Sequence, residues 1–493
     1  MEEQGLKKKT IKGVVWSAID NVSSHAVTFI VGIILARLLS PEDYGLIGII
    51  GIFTAICNCF INAGLASALI RKKDATEDDF NTVFICNFVV SIFLYLVLFL
   101  CAPYIADFFE RQELTSLIRV SSLGLIIGAL AMVQRTILTK RIDFKTQTKI
   151  TIISVIAQGV VGVSTAFMGW GVWALVAQGL TAGVVSTVLL WYNNKWFPKW
   201  SFSITSFREL FGFSSKMLAS NLIDTIWKEI NQVVIGKLYS PAALGQISRA
   251  SGFSSLFSRN ITGIVQRVSF PVLSEMQNDP NRLKSGYQKI IRSTMIVTFP
   301  CMLLLASVSK PMIITLIGEK WLQAAEFLRI ICFSSMLYPL HAINLNMLQV
   351  QGRSDLFLRL EIIKKAIAVG PILIGIFVSI YWMLIAGIGT STIAYYLNSY
   401  YSGTMINYGM KEQIKDIAPS FIIGLISAIV AFVPELVFES MNWDVSWSQA
   451  AIFILVLQLG LGLGSNIFLC EKMKLPEYIE LKKTLLSKLK RNA

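Results

Sequence analysis

The sequence predicts an all-α polytopic membrane protein, and its composition and apolar pattern carry that prediction. Hydrophobic residues make up 54% of the 493 residues and charged residues only 15%, with a mean hydropathy of +0.62. This composition is typical of integral membrane proteins. The apolar residues fall in long stretches, and about 20 of them are enough for a helix to cross the hydrocarbon core. Backbone polar groups find no partners in lipid, so such stretches are expected to be helical.

Fourteen spans are predicted, with both termini in the cytoplasm. The predicted spans are 13–38, 44–70, 82–106, 116–138, 148–169, 171–193, 210–238, 242–271, 288–317, 321–350, 356–380, 382–406, 417–438 and 449–470. With this count, the outward loops contain only Arg111, Lys310 and Lys320, whereas nearly all other loop lysines and arginines fall on one side. Cytoplasmic loops carry such an excess of basic residues.

A hairpin near the beginning of the chain recurs in its second half. Residues 37–47, with Ser40-Pro41 and Gly45, match residues 237–247, with Ser240-Pro241 and Gly245. The match predicts two homologous lobes whose equivalent helices face each other across a central axis. Internal repeats with a site between them are how many transporters are built.

Polar residues follow one face of the predicted span 210–238. The stripe consists of Asn221, Asp224, Lys228 and Asn231 or Gln232, which are three or four residues apart, and residues at this spacing share a helical face. The first span has a similar stripe, made of Ser17, Asp20 or Asn21, Ser24 and Thr28, with His25 beside it.

Three arginines lie in the next predicted span. At about 100° per residue, Arg249 and Arg267 point the same way and Arg259 lies roughly 80° from them. Charges at membrane depth usually line a water-filled path or pair with one another. This span and the polar stripe before it are therefore the candidate functional region.

Four motifs resemble one branch of a known superfamily. They are Leu38–Gly45, Gly64–Asp74, Phe270–Ser274 and Gly318–Trp321. They resemble the polysaccharide-export branch of the multidrug/oligosaccharidyl-lipid/polysaccharide superfamily, and most of all the Wzx-type flippases of the colanic-acid exporter kind. The resemblance implies two pseudo-symmetric six-helix lobes in a V around a central cavity, plus two C-terminal helices.

In that arrangement, residues 1–196 are the first lobe, 197–209 a cytoplasmic linker, 210–410 the second lobe, 411–470 the two added spans and 471–493 a basic amphipathic cytoplasmic tail. The resemblance also implies a bacterial inner-membrane protein that works by alternating access. Its substrate is expected to be an undecaprenyl-pyrophosphate-linked oligosaccharide repeat unit, moved from the cytoplasmic to the outer leaflet for O-antigen, capsule or exopolysaccharide assembly.

That substrate suggests roles for the charged residues. A pyrophosphate needs cationic donors, and the planar guanidinium suits phosphate oxygens best. The residues expected to contact pyrophosphate or sugar are Arg249, Arg259, Arg267, Lys228, Asn21, Asn221 and Asn231, and Asp20 and Asp224 are candidates to carry a coupling ion.

For each of these residues a structural role is the alternative. The arginines would then only pair with Asp224 or Glu229, Lys228 with Asp224, and the amides would join helices. Arg329 and Glu326, close together in the tenth span, are expected to pair structurally.

No cofactor or metal site is predicted, and the protein is not expected to be an enzyme. The sequence has no phosphate-binding Gly-x-x-x-x-Gly-Lys-[Ser/Thr] loop, so transport is expected to draw on the membrane potential, on consumption of the product outside, or on an H⁺ or Na⁺ gradient. The expected partners are the lipid-linked oligosaccharide, membrane lipids and polymerase or chain-length proteins of the same pathway. A monomer without nucleic acid is predicted despite the net charge of +14.

Two other functions stay open. A drug/cation antiporter of the same superfamily would favour buried acids over a run of arginines. A membrane glycosyltransferase or polymerase would need catalytic carboxylates near the outer surface.

Overall fold

The computed structural model describes residues 16, 23–62, 65–72, 74–441 and 446–492, and all regular structure in these residues is helical. The prediction of an all-α protein is confirmed. The chain forms two compact units, Met1–Gly245 and Gln246–Ala493. This division falls in the first turns of a helix, whereas the predicted lobes divide at 197–209. The lobe assignment stays a prediction.

The first unit is built from antiparallel neighbours joined by short turns. Its helices are α1 (Ser23–Leu38), α2 (Pro41–Asn62), α3 (Leu65–Arg71), α4 (Glu77–Phe108), α5 (Glu113–Ser121), α6 (Leu123–Lys140), α7 (Phe144–Phe167), α8 (Val172–Asn194) and α9 (Ile204–Leu238). Helix α8 packs against both α6 and α7, α4 packs on α6, and α9 packs on α2, α3 and α4. These contacts place α9 in the first unit.

The second unit contains most of α10 and the helices that follow it. They are α10 (Pro241–Glu275), α11 (Pro280–Ser307), α12 (Ser309–Ile317), a 3-10 turn (Glu319–Trp321), α13 (Leu322–Ser335), α14 (Tyr338–Val350), α15 (Ser354–Phe377), α16 (Ile380–Ile406), α17 (Met410–Ser440), α18 (Trp447–Lys472) and α19 (Pro476–Asn492). Helix α11 packs along α17, and α17 packs along α18.

Ten stretches of the described helices are long and apolar enough to cross a membrane. They are Pro41–Arg71, Glu77–Phe108, Glu113–Lys140, Phe144–Phe167, Val172–Asn194, Pro280–Ser307, Glu319–Val350, Ile380–Ile406, Met410–Ser440 and Trp447–Lys472. They correspond to predicted spans 2–6, 9, 10 and 12–14. The other predicted spans correspond to the short helix α1 and to α9, α10 and α15, in which polar and charged residues interrupt the apolar pattern. The count of fourteen and the cytoplasmic termini stay predictions.

The two matched hairpins begin their second helices in the same way. Ser40 is the N-cap of α2, and its hydroxyl accepts the Asp43 amide at 3.2 Å while Asp43 accepts the Ser40 amide at 2.8 Å. The Ser240 hydroxyl accepts the Ala243 amide at 3.0 Å at the start of α10. In both helices a proline follows the serine, and proline suits the first helical position because no partner is needed for its nitrogen. The sequence repeat is therefore also a structural repeat at these turns.

A connecting strap, residues 195–203, fixes where α9 begins. The buried Asn81 side chain accepts the Lys199 amide at 2.9 Å, and the Thr82 hydroxyl accepts the Ser203 amide at 3.0 Å. The buried Gln134 side chain donates to the Trp196 carbonyl at 2.9 Å. Buried polar groups of α4 and α6 thus satisfy the backbone of the strap, as buried backbone groups require.

A buried polar cluster around Asn344 holds the second unit together. The Asn344 side-chain oxygen, Oδ1, accepts hydrogen bonds from Tyr287 at 2.8 Å, Ser402 at 2.5 Å and Gln413 at 3.3 Å. These four residues come from α11, α14, α16 and α17, and all are fully buried. A hydrogen-bonded network of this kind fixes one arrangement of the helices around it.

Candidate functional site

Helix α9, which carries the polar stripe, is tied to its neighbours at its first turns. Lys72 lies 2.8 Å from the Glu209 carboxylate and 3.0 Å from the buried Asp79 carboxylate. Hydrogen bonds to Glu209 and Asp79 raise the pKa of Lys72. Leu210, one residue on, is buried in an apolar cluster with Leu69, Phe84 and other residues of α3, α4 and α6. The start of α9 is therefore fixed against these three helices.

The far end of α9 is tied down by a second ion pair. Lys237 lies 2.8 Å from Glu110, and its ammonium stands 5.2 Å from the ring centroid of Phe108. The hydrogen bond from Lys237 lowers the pKa of Glu110. A Cβ atom placed on Gly236 would lie 3.3 Å from both Ile49 and Phe109. The polar stripe thus lies on a helix that is held at both ends.

The stripe residues of α9 differ in exposure. Asn221 and Asp224 are half-buried, whereas Lys228 and Asn231 are exposed. Helix α9 packs on α2 beside Asn221, where the Cys59 sulfur lies 2.9 Å from the Thr225 hydroxyl and 3.9 Å from the Asn221 carbonyl oxygen. The sequence-predicted candidates Asp20 and Asn21 lie outside the described residues.

Glu229, one of the alternative partners for the arginines, is engaged on its own helix. Its carboxylate accepts a short hydrogen bond from the Gln232 side chain, one turn further along α9. This contact favours a local role for Glu229 over pairing with an arginine.

The beginning of α10 is locked to the 3-10 turn. The Gln246 amide group donates to the Lys320 carbonyl at 2.8 Å, and its oxygen accepts the Ala324 amide at 2.9 Å. The half-buried Arg249 guanidinium stands 5.9 Å from the centroid of the fully buried Trp321 ring. A guanidinium at this distance from an indole face is attracted by its electrons. The tryptophan of the Gly318–Trp321 motif therefore helps to hold the Arg249 guanidinium in place.

Arg259 and Arg267 lie on a different face of α10 from the one that packs. Ser254, Ser258 and Ser269 are buried, and Ser269 accepts a hydrogen bond of 2.7 Å from Asn346 of α14. Arg259 and Arg267 are exposed, and the Arg267 Nε donates to the Gly263 carbonyl at 3.1 Å. Within the described residues of its own unit, Arg259 forms no ion pair.

Helix α10 is basic along its whole length. It contains three arginines and has no acid before its last residue, Glu275. At about 1.5 Å per residue, Arg249 and Arg267 are separated by about 27 Å along the axis, close to the thickness of about 30 Å for a hydrocarbon core. On the predicted topology, in which α10 is a span, its arginines would lie at several membrane depths.

A buried ion pair, which the sequence reasoning missed, lies in the second unit. The expected pairing of Arg329 with Glu326 is wrong: Arg329 forms a short ion pair with Glu435 of α17, and Glu326 accepts a hydrogen bond from Tyr381. Glu435 is 1% exposed and lies inside α17, which continues past the predicted span end at residue 438. The sequence did offer a signal for this site: two polar residues, Glu435 and Gln458, lie in consecutive apolar segments.

The fold and this region together define a class of protein: a multi-pass helical membrane protein that has a basic helix, α10, in addition to its apolar helices. The chain belongs to the family described as polysaccharide biosynthesis protein, whose model matches residues 34–326. The family resemblance expected from the motifs is confirmed, and the protein is a multi-pass protein of the inner membrane.

Relatives of known name are similar over most of the chain. The teichuronic acid biosynthesis protein TuaB of Bacillus subtilis is 26% identical over 71% of this chain and 73% of its own length. The succinoglycan biosynthesis transport protein ExoT of Rhizobium meliloti is 26% identical over 66% of each chain. The lipopolysaccharide biosynthesis protein WzxC of Escherichia coli is 23% identical over 75% of this chain and 76% of its own.

Two solved structures share the fold. The lipid II flippase MurJ in an inward closed conformation has a TM-score of 0.69 at 14% identity and covers 94% of this chain and 100% of its own. An inward-facing multidrug resistance transporter of the MATE family, in the MOP superfamily, has a TM-score of 0.60 at 17% identity, covering 80% of this chain and 98% of its own. At these identities the likeness establishes the fold alone.

Proposed function

We propose that this protein is a flippase for a lipid-linked oligosaccharide, which it moves from the cytoplasmic to the outer leaflet by alternating access. The observation that carries the proposal is the basic helix α10 in a chain of the polysaccharide biosynthesis family. The substrate we infer is an undecaprenyl-pyrophosphate-linked repeat unit, because its anionic headgroup is complementary to exposed guanidinium groups. The relatives include a biosynthesis transport protein, ExoT, which supports a transport function.

We assign the arginines of α10 to the headgroup. Arg259 and Arg267 are exposed and hold the pyrophosphate, while Arg249, which lies over the Trp321 ring, supplies positive charge near the start of the helix. Lys228, Asn221 and Asn231 of α9, with Asn21, contact the sugars. Asp224, with Asp20, is the candidate for a coupling H⁺ or Na⁺. The protein works as a monomer without catalysis and delivers its product to a polymerase of the same pathway.

The charge of α10 favours this substrate over a cationic drug. A helix with three arginines and no acid before Glu275 repels cations and attracts phosphates. An antiporter for cationic drugs is therefore the less favoured function. A glycosyltransferase or polymerase is less favoured too, because it would need catalytic carboxylates near the outer surface, and the one acid of α10, Glu275, is the last residue of the helix.

Substitution of Arg259 tests the proposal in cells that make the polymer. Hydrogen bonds to a charged group are worth about 1.5–3 kcal/mol each, so Arg259→Ala should lower export about 10- to 100-fold. Arg259→Lys should restore little, since a lysine keeps the charge but loses the planar fork. Export is measured as polymer at the cell surface, with membrane accumulation of each variant followed by immunoblot.

Arg282→Ala is the matched control, because Arg282 is an exposed base at the predicted cytoplasmic end of α11. It should export normally. If Arg259→Ala exports as well as Arg282→Ala does, Arg259 does not bind the headgroup.

A further inference from the structure

His341 lies in the middle of the second unit, in a helical stretch that is apolar enough to cross a membrane, Glu319–Val350. The chain has only two histidines, and the other is His25. The His341 ring is half-buried, and its helix, α14, packs on α11, α15 and α16. An ionisable side chain at membrane depth is more often functional than structural, and proton relays are among the roles such residues serve.

Two hydrogen bonds determine the protonation state of the ring. The Ser391 hydroxyl of α16 donates to the Ser334 carbonyl of α13 at 3.2 Å, so its oxygen remains to accept a hydrogen bond from His341 Nε2 at 3.2 Å. The Asn398 side-chain nitrogen of α16 donates to His341 Nδ1 at 3.2 Å. Together these bonds require a neutral ring that carries its hydrogen on Nε2.

The Asn398 side chain can replace its donor by an acceptor without any movement of the backbone. Asn398 is fully buried, and among the described residues its Oδ1 atom has no hydrogen-bond partner. A rotation of about 180° exchanges the oxygen and the nitrogen of an amide with little change of shape. Oδ1 then faces Nδ1 of the imidazole, where it forms a hydrogen bond only if Nδ1 carries a hydrogen. The pair therefore has two hydrogen-bonded states that differ by one proton.

In the second state, both nitrogens of the charged ring have an acceptor. Ser391 Oγ accepts the Nε2 hydrogen in either state, since its own hydrogen stays on the Ser334 carbonyl. Asn398 Oδ1 accepts the hydrogen on Nδ1. Hydrogen bonds from a charged donor are roughly twice as strong as neutral ones, and a buried charge needs such bonds.

The charged side chains of the neighbouring helices are paired with one another. Lys364 of α15 interacts electrostatically with His341 and opposes a second positive charge. It forms a short ion pair with Glu361 of the same helix, which offsets this repulsion. Glu326 and Arg329 of α13 are bound to the partners described above.

The tyrosines near the imidazole are neutral hydrogen-bond donors or packing partners. The Tyr338 ring centroid lies 6.4 Å from that of the imidazole. Tyr287 of α11 donates to Asn344 at 2.8 Å, and Tyr395 of α16 donates to Gln413 at 3.1 Å. Tyrosine ordinarily loses its proton near pH 10, whereas histidine changes its charge near pH 6.5. The imidazole is therefore the group of this set that suits a proton near neutral pH.

The histidine site is one helical turn from the buried cluster around Asn344. On α14, His341 precedes Asn344 by three residues, and on α16, Asn398 precedes Ser402 by four. The bonds from Asn398 to His341 and from Ser402 to Asn344 are therefore consecutive contacts between the same two helices. A change in the first contact acts directly on the packing of α14 against α16.

We propose that His341 is a proton-binding site of the second unit. A proton from water adds to Nδ1, the Asn398 amide rotates, and Oδ1 accepts the new N–H group. Loss of the proton to water reverses both steps, and no other covalent bond forms or breaks. In the flippase this proton is a coupling ion, and that part rests on the proposed function. The site itself rests on hydrogen bonds within one unit.

Nitrogen NMR tests the site without reference to transport. His25→Gln leaves His341 as the single histidine, and the protein with isotope-labelled histidine is placed in lipid bilayers. Above about pH 8 the ring should carry a hydrogen on Nε2 alone, and between about pH 8 and pH 4 Nδ1 should gain one too. A ring that stays neutral down to about pH 4 contradicts the proposal. So does a neutral ring with its hydrogen on Nδ1.

Two replacements of Asn398, similar to it in size, distinguish proton binding from packing. Asn398→Leu removes the acceptor, so the midpoint of the titration should fall by about 1–2 pH units, a roughly 10- to 100-fold weaker proton affinity. Asn398→Asp places a carboxylate there and should raise the midpoint. A side chain that only packs would not shift the midpoint in opposite directions.

Asn466→Leu is the matched control, because Asn466 of α18 bonds to Ser427 of α17 at 3.4 Å and not to the histidine. It should leave the midpoint unchanged. Equal midpoints in Asn398→Leu and Asn398→Asp would show that Asn398 does not bind the proton.

Transport is measured separately, in sealed vesicles that contain the purified protein and a lipid-linked oligosaccharide extracted from cells lacking this gene. The rate of the native protein should change with pH around the midpoint found by NMR, and the rate of His341→Gln should not. A native rate that is independent of pH would show that the proton is not coupled to transport. If no lipid moves at any pH, the proposed function fails, and the NMR result still decides whether His341 binds a proton.

Discussion

At the scale of residues, the ion pair between Arg329 and Glu435 shows how a charge is kept inside an apolar helix bundle. Besides Glu435, the Arg329 guanidinium binds the Ser309 hydroxyl at 3.0 Å and lies 5.0 Å from the centroid of the Phe432 ring. Gln458 of α18 donates to the second oxygen of Glu435 at 3.5 Å. These contacts connect α12, α13, α17 and α18, and they compensate the burial of the carboxylate.

Replacing only one residue of this ion pair should lower the free energy of unfolding far more than replacing both. Arg329→Met leaves Glu435 buried without a counter-charge and should lower the free energy of unfolding by about 3–5 kcal/mol. The double variant Arg329→Met, Glu435→Leu should lose much less of the free energy of unfolding, because no charge remains buried. Thermal unfolding in detergent micelles measures both.

The exposed pair between Arg353 and Asp355, 2.8 Å apart, supplies the control. Arg353→Met should lower the free energy of unfolding far less than Arg329→Met does, because water screens an exposed pair. Equal losses in the single and the double variant at Arg329 would mean that the pair is not electrostatically coupled.

At the scale of residues, the sequence showed where charged residues lie within apolar helices, but it did not show which residues they pair with. The arginines of α10 were recognisable because apolar surroundings make a charge conspicuous. The partner of Arg329 was not, because Glu435 belongs to another helix far along the chain, whereas Glu326 is close in sequence. Helical spacing identifies neighbours on one helix only.

At the scale of elements, α19 shows how a surface helix is fastened to the second unit. Lys289 of α11 lies 2.7 Å from Glu480, and Arg292 lies 3.9 Å from Glu477 and 2.6 Å from Asp416 of α17. The tail predicted from residue 471 onward thus contains a helix that is held by charge to α11.

Removing two acids of α19 should loosen this helix. Each exposed pair is worth about 0.2–1 kcal/mol, so Glu477→Gln with Glu480→Gln should raise the fraction of detached tail about several-fold. Trypsin cleavage after Lys482 or Lys483 should become faster, and the native protein should approach the same rate at high salt.

Glu412→Gln, an exposed acid of α17, is the control for this test and should not change the rate. Cleavage of the double variant at the native rate would show that apolar contacts, and not the ion pairs, hold α19.

Element positions followed from apolar pattern and turn residues, but breaks inside elements did not. The starts of α2 and α10 were predictable from Ser-Pro followed by apolar residues. The single span predicted at 116–138 is divided into α5 and α6 where Ser122 turns its hydroxyl to the Ile118 carbonyl at 2.6 Å. Such side-chain bonds compete with the backbone pattern, and a hydropathy pattern does not contain them.

At the scale of the whole molecule, the sequence predicted the helical membrane class and the family, and it recognised the repeat. The division into units at Gly245 was not predictable, because it depends on α9 packing against α2, α3 and α4. The repeat was visible in Ser40-Pro41 and Ser240-Pro241, and the serine caps of α2 and α10 repeat it in the structure.

The measurement that tests the central claim most directly follows a lipid-linked oligosaccharide across a membrane. The substrate is extracted from cells of the source organism that lack this gene, in which it should accumulate, and is placed with the purified protein in sealed vesicles. A membrane-impermeant glycosidase added outside reports which headgroups are exposed. With the protein, the pool in the inner leaflet should become accessible, and with Arg259→Ala it should stay protected. If the inner pool stays protected in vesicles containing the native protein and an ion gradient of either sign, the protein does not move this lipid.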